Sequence, residues 1–321
     1  MLTTRRFGLA VLATAALTTP AAAQVAADHH DHAAMAQAAP AAGAPAPQPA
    51  AGAQPAAPAQ PAGPRNPALP APEETAKAAI ESSPRHGEWA EVKVPGRAAP
   101  VKLWVVYPER KDKAPVVMVI SEIFGLSDWI RGVADQLAKE GFIAIAPDFM
   151  AGLGPNGGGS AELGEQGSTQ AIGKLTDDDK VRILNDVRAY AMTIPSASGK
   201  LATIGFCWGG GTSFLYARRQ PALNAAVSYY GPMPADAAEY AGTKAPVLGL
   251  YGGNDQRVNA NIESAKAGMA KANAVYEPNI FEGAGHGFLR QQAGSANAPG
   301  NMKATEDAWK LTLDFLRKHT K

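Results

Sequence analysis

Residues 203–211 read Thr-Ile-Gly-Phe-Cys-Trp-Gly-Gly-Gly, and they contain Cys207, the single cysteine of the 321-residue chain. A short apolar run, Ala202–Phe206, leads into the cysteine, and a helical pattern over Gly209–Arg219 follows it. A lone cysteine can be a small buried hydrophobe, or a nucleophile held at a turn. The glycines two places either side, Gly205 and Gly209, favour the second reading, because a sharp strand-to-helix turn presses those positions against neighbouring backbone. A helix N-terminus beginning just after the sulfur would also favour its thiolate form.

Outward from this turn the chain alternates strand and helix patterns. Val101–Tyr107 alternates in polarity and is expected to pair with Glu91–Val94 as a hairpin across Pro95-Gly96. Val116–Ile120 is continuously apolar, as in a strand covered on both faces. Ser127 is placed to cap a helix with Ile130, Val133, Ala134, Leu137 and Ala138 on one side, and Gly141 ends it before a strand at Phe142–Ala146. Residues 151–176 are glycine-rich without a clear period and read as a long surface excursion. A helix over Asp179–Ile194 precedes the cysteine strand. Strands at Ala225–Tyr229, Pro246–Tyr251 and Val275–Phe281 follow, with helices near 260–272 and 302–319. Such alternation predicts an α/β fold with a mainly parallel sheet covered by helices on both faces. Ligand sites in such folds lie beyond the carboxyl ends of the strands.

Composition restricts the folded part to one domain, 73–321. Residues 1–23 have the layout of an export signal: Arg5 and Arg6, an apolar run from Phe7 to Leu17, and the small-residue site Ala21-Ala22-Ala23. Thr4-Arg5-Arg6 resembles a twin-arginine start, although Phe7 comes one place early. The apolar run is too short for a permanent membrane span, so an exported, periplasmic protein with no membrane span after signal removal is expected. Residues 24–72 hold His29, His30 and His32 and then a run of Ala, Pro, Gly and Gln, which cannot bury enough apolar surface to fold and reads as a disordered linker. The three histidines are read as a solvated tail that takes metal only opportunistically, so no metal site is assigned. A net charge of +1 argues against nucleic acid as partner. One cysteine makes no internal disulfide, so the domain relies on its core alone.

Two further strand ends carry chemistry. Tyr251-Gly252-Gly253-Asn254-Asp255 follows one strand and Gly283-Ala284-Gly285-His286-Gly287 the next, and His286 is the only histidine in residues 87–318. The order Cys207, Asp255, His286 is the chain order of the α/β-hydrolase triad. Cys207 would attack an acyl carbonyl, His286 would accept and return the proton, and Asp255 would orient the imidazole. Asp255 can also be read as a turn residue after Asn254.

These residues together resemble the dienelactone hydrolase family over roughly Val92 to Thr320. The matching stretches are Ser121-Glu122-Ile123-Phe124-Gly125-Leu126, the Gly205–Gly210 elbow, Ser228-Tyr229-Tyr230-Gly231, Asp255, His286 and Arg290. The resemblance implies an α/β-hydrolase fold and cleavage of small-molecule esters or lactones through a thioester; a cofactor-free monomer is expected. It further implies that Glu122 contacts the resting thiol and gates it. Ile123 and Trp208 would supply oxyanion-binding N–H groups, and Phe124 and Arg290 would contact substrate. The stretch Pro147-Asp148-Phe149-Met150-Ala151-Gly152 lacks the arginine that dienelactone-cleaving members carry there, leaving Arg290 as the single cation for a substrate carboxylate. Arg290 also reads as a plain salt-bridge residue. A general esterase, a non-catalytic envelope-associated binding protein and a thiol redox sensor are the competing readings of the same residues.

Overall fold

In a computed structural model that describes residues 66–321, the first helix among the described residues is α1 (Glu73–Glu81). The export signal, the histidine cluster and the linker up to residue 65 lie outside the described residues. Leu69 and Ala71, which composition assigns to the linker, are buried, so the packed chain begins before Glu73.

β1 (Gly87–Val92) and β2 (Val101–Val106) form the expected hairpin. The Val94–Arg97 turn closes with a hydrogen bond from Arg97 N–H to the Val94 carbonyl, with Gly96 at φ 82°. Only a residue without Cβ accepts that angle readily after Pro95. The strand itself lies earlier than its hydrophobic pattern suggests. β3 (Ala114–Ile120), α2 (Asp128–Lys139) and β4 (Ile143–Pro147) follow, and the Ser127 hydroxyl caps α2 by accepting from the Ile130 N–H.

The glycine-rich excursion is corrected by the structure, because it contains a helix, α3 (Ser160–Ile172), bent at Gly164. Its start is set from outside: Asp148 accepts from both the N–H and the hydroxyl of Ser160. That is a tertiary contact which local periodicity cannot report. α4 (Asp177–Ala191) opens with a capping box between Thr176 and Asp179. The remaining strands are β5 (Ala197–Phe206), β6 (Ala225–Tyr229), β7 (Val247–Gly252) and β8 (Tyr276–Phe281). Helices α5 (Trp208–Arg219), α6 (Gln256–Asn259), α7 (Ile262–Lys271) and α8 (Asn301–His319) complete the chain.

The eight strands form one sheet in the order β1-β2-β4-β3-β5-β6-β7-β8, antiparallel at β1-β2-β4 and parallel from β4 onward. Its two faces carry separate cores. Val116, Met118 and Ile120 of β3 point into one with α4, α5 and α7. Val117 and Val119 point into the other with α1, α2 and α8. The period of two in a strand buried on both sides produces this division. Because β3, β5, β6, β7 and β8 are parallel neighbours, the loops after them all open at one edge of the sheet.

Candidate active site

That edge gathers Glu122 after β3, Cys207 after β5, Tyr230 after β6, Asp255 after β7 and His286 after β8. A cleft of about 480 Å³ lies at the strands' opposite ends, lined by Arg110, Lys113, Glu140, Ser198, Lys200 and Arg317, and holds none of these groups.

Cys207 occupies the corner between β5 and α5 at φ 53°, a left-handed angle unusual for a residue with Cβ. The surrounding glycines explain how the corner closes. A methyl on Gly205 would run into the Gly209 carbonyl, and one on Gly209 into the carbonyl oxygens of Ile120 and Ser121. A methyl on Gly210 would sit 2.5 Å from the Tyr229 carbonyl oxygen. The steric expectation drawn from the glycines therefore agrees with the backbone around the turn. The missing Cβ of Gly209 lets the start of α5 lie against the Ile120–Ser121 backbone at the end of β3, and the first N–H of the helix is that of Trp208. As the first helical residue, Trp208 has no carbonyl one turn back to bond. The Ile123 N–H takes no part in the backbone hydrogen bonds of the surrounding turns.

The Asp255 and His286 loops are bound to one another. Gly253 N–H donates to the Phe281 carbonyl, Asn254 N–H to Ala284, and Gly252 lacks the Cβ that would meet the carbonyls of Ala284 and Gly285. Asn301, the first residue of α8, accepts from the Gly285 N–H and donates to the Gln291 carbonyl. So anchored, His286 Nδ1 stands 2.5 Å from Asp255 Oδ2, and Asp255 is buried. Burial alone would push the imidazole down. Hydrogen bonds to Asp255 and Cys207 outweigh it and hold its pKa up, at about 9. The rings of Tyr230 and His286 pack with centroids 5.0 Å apart.

Glu122 is 3 % exposed, and burial pushes its carboxyl up to about 7 against the opposing pull of Arg290 and His286. Its ion-pair partner is Arg290, whose Nε lies 2.7 Å from Oε2. The resemblance implied a resting contact with the thiol instead; a carboxylate this deeply buried takes the nearest cation. Arg290 also pairs with Glu73 of α1 and lies over the Phe124 ring, 5.0 Å from its centroid. Phe124 and Arg290 are thus in contact, but the guanidinium is already engaged by two carboxylates. Sequence reasoning missed Glu73 because its partner lies 217 positions away. The acidic first turn of α1 after Pro72 was the one local signal of a helix there.

The segment without the second arginine is self-contained. Phe149 and Met150 are buried, Asp148 accepts from the Met150 N–H, and Arg97 spans the carbonyls of Phe149 and Ala151. Phe149 packs edge-on to Trp208 with centroids 5.3 Å apart. Among the described residues no three His, Cys, Asp or Glu side chains gather as a metal-binding group, and no helix is long and apolar enough to cross a membrane.

Comparison with known proteins gives the same family as the motifs. The model of the "Dienelactone hydrolase family" matches residues 101–320. A Yersinia pestis protein named "Putative carboxymethylenebutenolidase" is 32 % identical over 256 residues, covering 75 % of this chain and 92 % of its own. An Escherichia coli K12 protein of the same name is 30 % identical over 238 residues, covering 70 % and 85 %. Among solved structures, a Klebsiella pneumoniae protein described as a "Putative Dienelactone Hydrolase" superposes with a TM-score of 0.60 at 27 % identity, over 72 % of this chain and 99 % of its own. A dienelactone hydrolase from Anabaena variabilis shares the fold at a TM-score of 0.55 and 18 % identity, over 74 % and 99 %.

Proposed function

The chain belongs to the dienelactone hydrolase family and is a hydrolase with that family's α/β-hydrolase fold, and from this premise we propose that it cleaves carboxylic esters or lactones through a Cys207-His286-Asp255 triad. The observation that carries the reading is the pairing of His286 Nδ1 with Asp255 at 2.5 Å, at the same end of the sheet as the cornered Cys207.

The chemistry follows from these positions. Cys207 Sγ, as thiolate, attacks the acyl carbonyl, and the electron pair moves onto the carbonyl oxygen. The N–H groups of Ile123 and Trp208 are the donors for that charge. Collapse expels the alkoxide, which takes a proton from the His286 imidazolium and leaves a thioester on Cys207. His286, now neutral, accepts a proton from water as the water attacks the thioester, and the acid departs as the thiolate re-forms. Asp255 holds the imidazole in one tautomer and stabilises its charged form throughout. With a lactone, the expelled alkoxide stays attached to the acyl chain and a hydroxy acid is released. None of these steps calls on a cofactor. Glu122, beside this centre, is read as the group that gates the thiol, holding Cys207 neutral until substrate binding shifts the carboxylate and frees the thiolate.

The same reading takes the protein to be an exported, periplasmic monomer, on the strength of the Arg5–Ala23 layout and of a triad drawn from one chain. Cell fractionation and size-exclusion chromatography test those two points. For the activity, the test is turnover of activated esters and lactones by the parent and by Cys207→Ala, with the intact protein's mass read in the steady state. Loss of turnover by a factor of about 10³ or more, with an acyl adduct that forms on the parent only, is expected. Equal rates in the two proteins would refute the nucleophile assignment.

A further inference from the structure

The family match begins at residue 101, yet the chain ahead of it is fastened directly onto the site. Leu69, Ala71 and Ala76 are buried, and Ala76 packs beside Gly132 of α2, where an added Cβ would stand 3.8 Å from that of Ala76. Gln292 donates to the Pro70 carbonyl at 2.8 Å, and Lys139 to Pro67 at 2.6 Å. The Glu73 N–H donates to the carbonyl of Arg290, and the Glu73 carboxylate pairs with Nη1 of the same residue. Arg290 is therefore held on its Nε side by Glu122, on Nη1 by Glu73, and on its face by Phe124.

A guanidinium grips a substrate carboxylate by presenting two parallel N–H groups from a free edge. Here Nη1 is taken by Glu73 and the Glu122 carboxylate lies 2.7 Å from Nε, so two carboxylates share one cation. The two pairings differ in accessibility. The Glu122 side chain is 5 % exposed, whereas that of Glu73 is 42 % exposed and its hold is open to competition from solvent and solute.

We propose that Glu73, carried by the N-terminal strap of residues 66–81, is a specificity-determining residue that neutralises Arg290 and so selects uncharged esters and lactones over carboxylate-bearing ones. The proposal rests on the hydrolase reading of the Cys207 site. Glu73 acts through Arg290 and does not touch the reacting atoms. It changes how strongly a substrate anion is attracted, so its signature is in KM rather than kcat.

The test uses the full chain and a matched pair of substrates, 4-nitrophenyl pentanoate and mono(4-nitrophenyl) glutarate, which differ at one end by a methyl against a carboxylate. The ratio of kcat/KM, charged to neutral, is expected to rise about tenfold in Glu73→Gln, through KM; a tenfold change corresponds to about 1.4 kcal/mol. Glu73→Asp keeps the charge and should stay within about threefold of the parent ratio. An unchanged ratio in Glu73→Gln, or one changed through kcat alone, overturns the proposal. Binding of 2-furoate, a ring carboxylate with no scissile ester, is measured in parallel against neutral furan-2-carboxamide. About tenfold tighter furoate binding by Glu73→Gln, without a matching gain for the amide, supports the strap, and equal binding to both proteins refutes it. If the parent turns over neither ester, the hydrolase reading is what has failed, and the furoate titration decides the strap by itself.

Discussion

Arg290 Nε stands 2.7 Å from Glu122 Oε2 in a pocket where the carboxyl is almost fully shielded from water. Burial outweighs the attraction of Arg290, and the carboxyl ends near 7 instead of its ordinary 4.5. Between those values the folded protein holds a proton that the unfolded chain has released. The resulting stabilisation is fully present below about 4.5 and is lost as pH rises through about 7. Glu122→Gln removes this dependence. Melting temperatures from pH 5 to pH 8 should show the variant gaining on the parent as pH rises, and a gap that moves the other way would contradict the assignment.

The His286 imidazolium is the proton donor for the leaving alkoxide, and its pKa lies near 9. On the proposed mechanism, kcat/KM for an ester with a poor leaving group falls on the alkaline side near that value. Asp255→Asn weakens the hydrogen bond and removes the charge that together raise the imidazole, so the alkaline limb should move about one unit or more toward neutral. The rate at the optimum should drop by a factor of about 10³ or more as the tautomer is lost. The same raised pKa gives the parent a stabilisation complete below 6.5 and lost through about 9, which Asp255→Asn should diminish.

Gly209, the second residue of α5, lacks a Cβ and so lets the helix abut the end of β3. Gly209→Ala adds one methyl to a site bounded by backbone oxygens of Ile120 and Ser121, which have no rotamer with which to yield. A cost of about 1–3 kcal/mol is expected from overpacking. Activity should fall further than stability, because the displaced corner also carries Cys207 and the Trp208 N–H. Urea unfolding and ester turnover on one preparation separate the two effects.

Thr176 and Asp179 satisfy each other's backbone N–H groups at the start of α4, whose Lys180 lies over the Trp208 ring at 5.3 Å. Thr176→Ala should cost about 1 kcal/mol, as other N-cap losses do, with kcat/KM close to that of the parent. A large loss of activity would show that α4 is coupled to the site.

The legible parts of this protein are those with local causes. The corner at Cys207 needs small residues two places either side, so its glycines could be read without a structure. The runs ending at Ile120, Phe206 and Tyr229 are continuous because both faces of their strands are covered. Ser127 announced α2 for the same kind of reason, since a cap acts within three residues. By contrast, the helix at Ser160–Ile172 escaped notice because Gly164 interrupts its period and its first turn is fixed by Asp148, twelve positions back. The first residues of β1 were missed because that edge strand is half-exposed and its apolar signal is weak.

The sequence alone determined the α/β alternation, the cornered cysteine, and the order in which Cys207, Asp255 and His286 leave their strands. Each depends on steric or periodic demands between near neighbours along the chain. Only the tertiary structure decided the company these residues keep. It joined His286 to Asp255 through two interlocked loops, turned Glu122 toward Arg290, and brought Glu73 across 217 positions onto the same guanidinium. Ion pairing in a buried pocket depends on which charges the packed cores bring within a few ångströms, and no spacing in the chain records that distance.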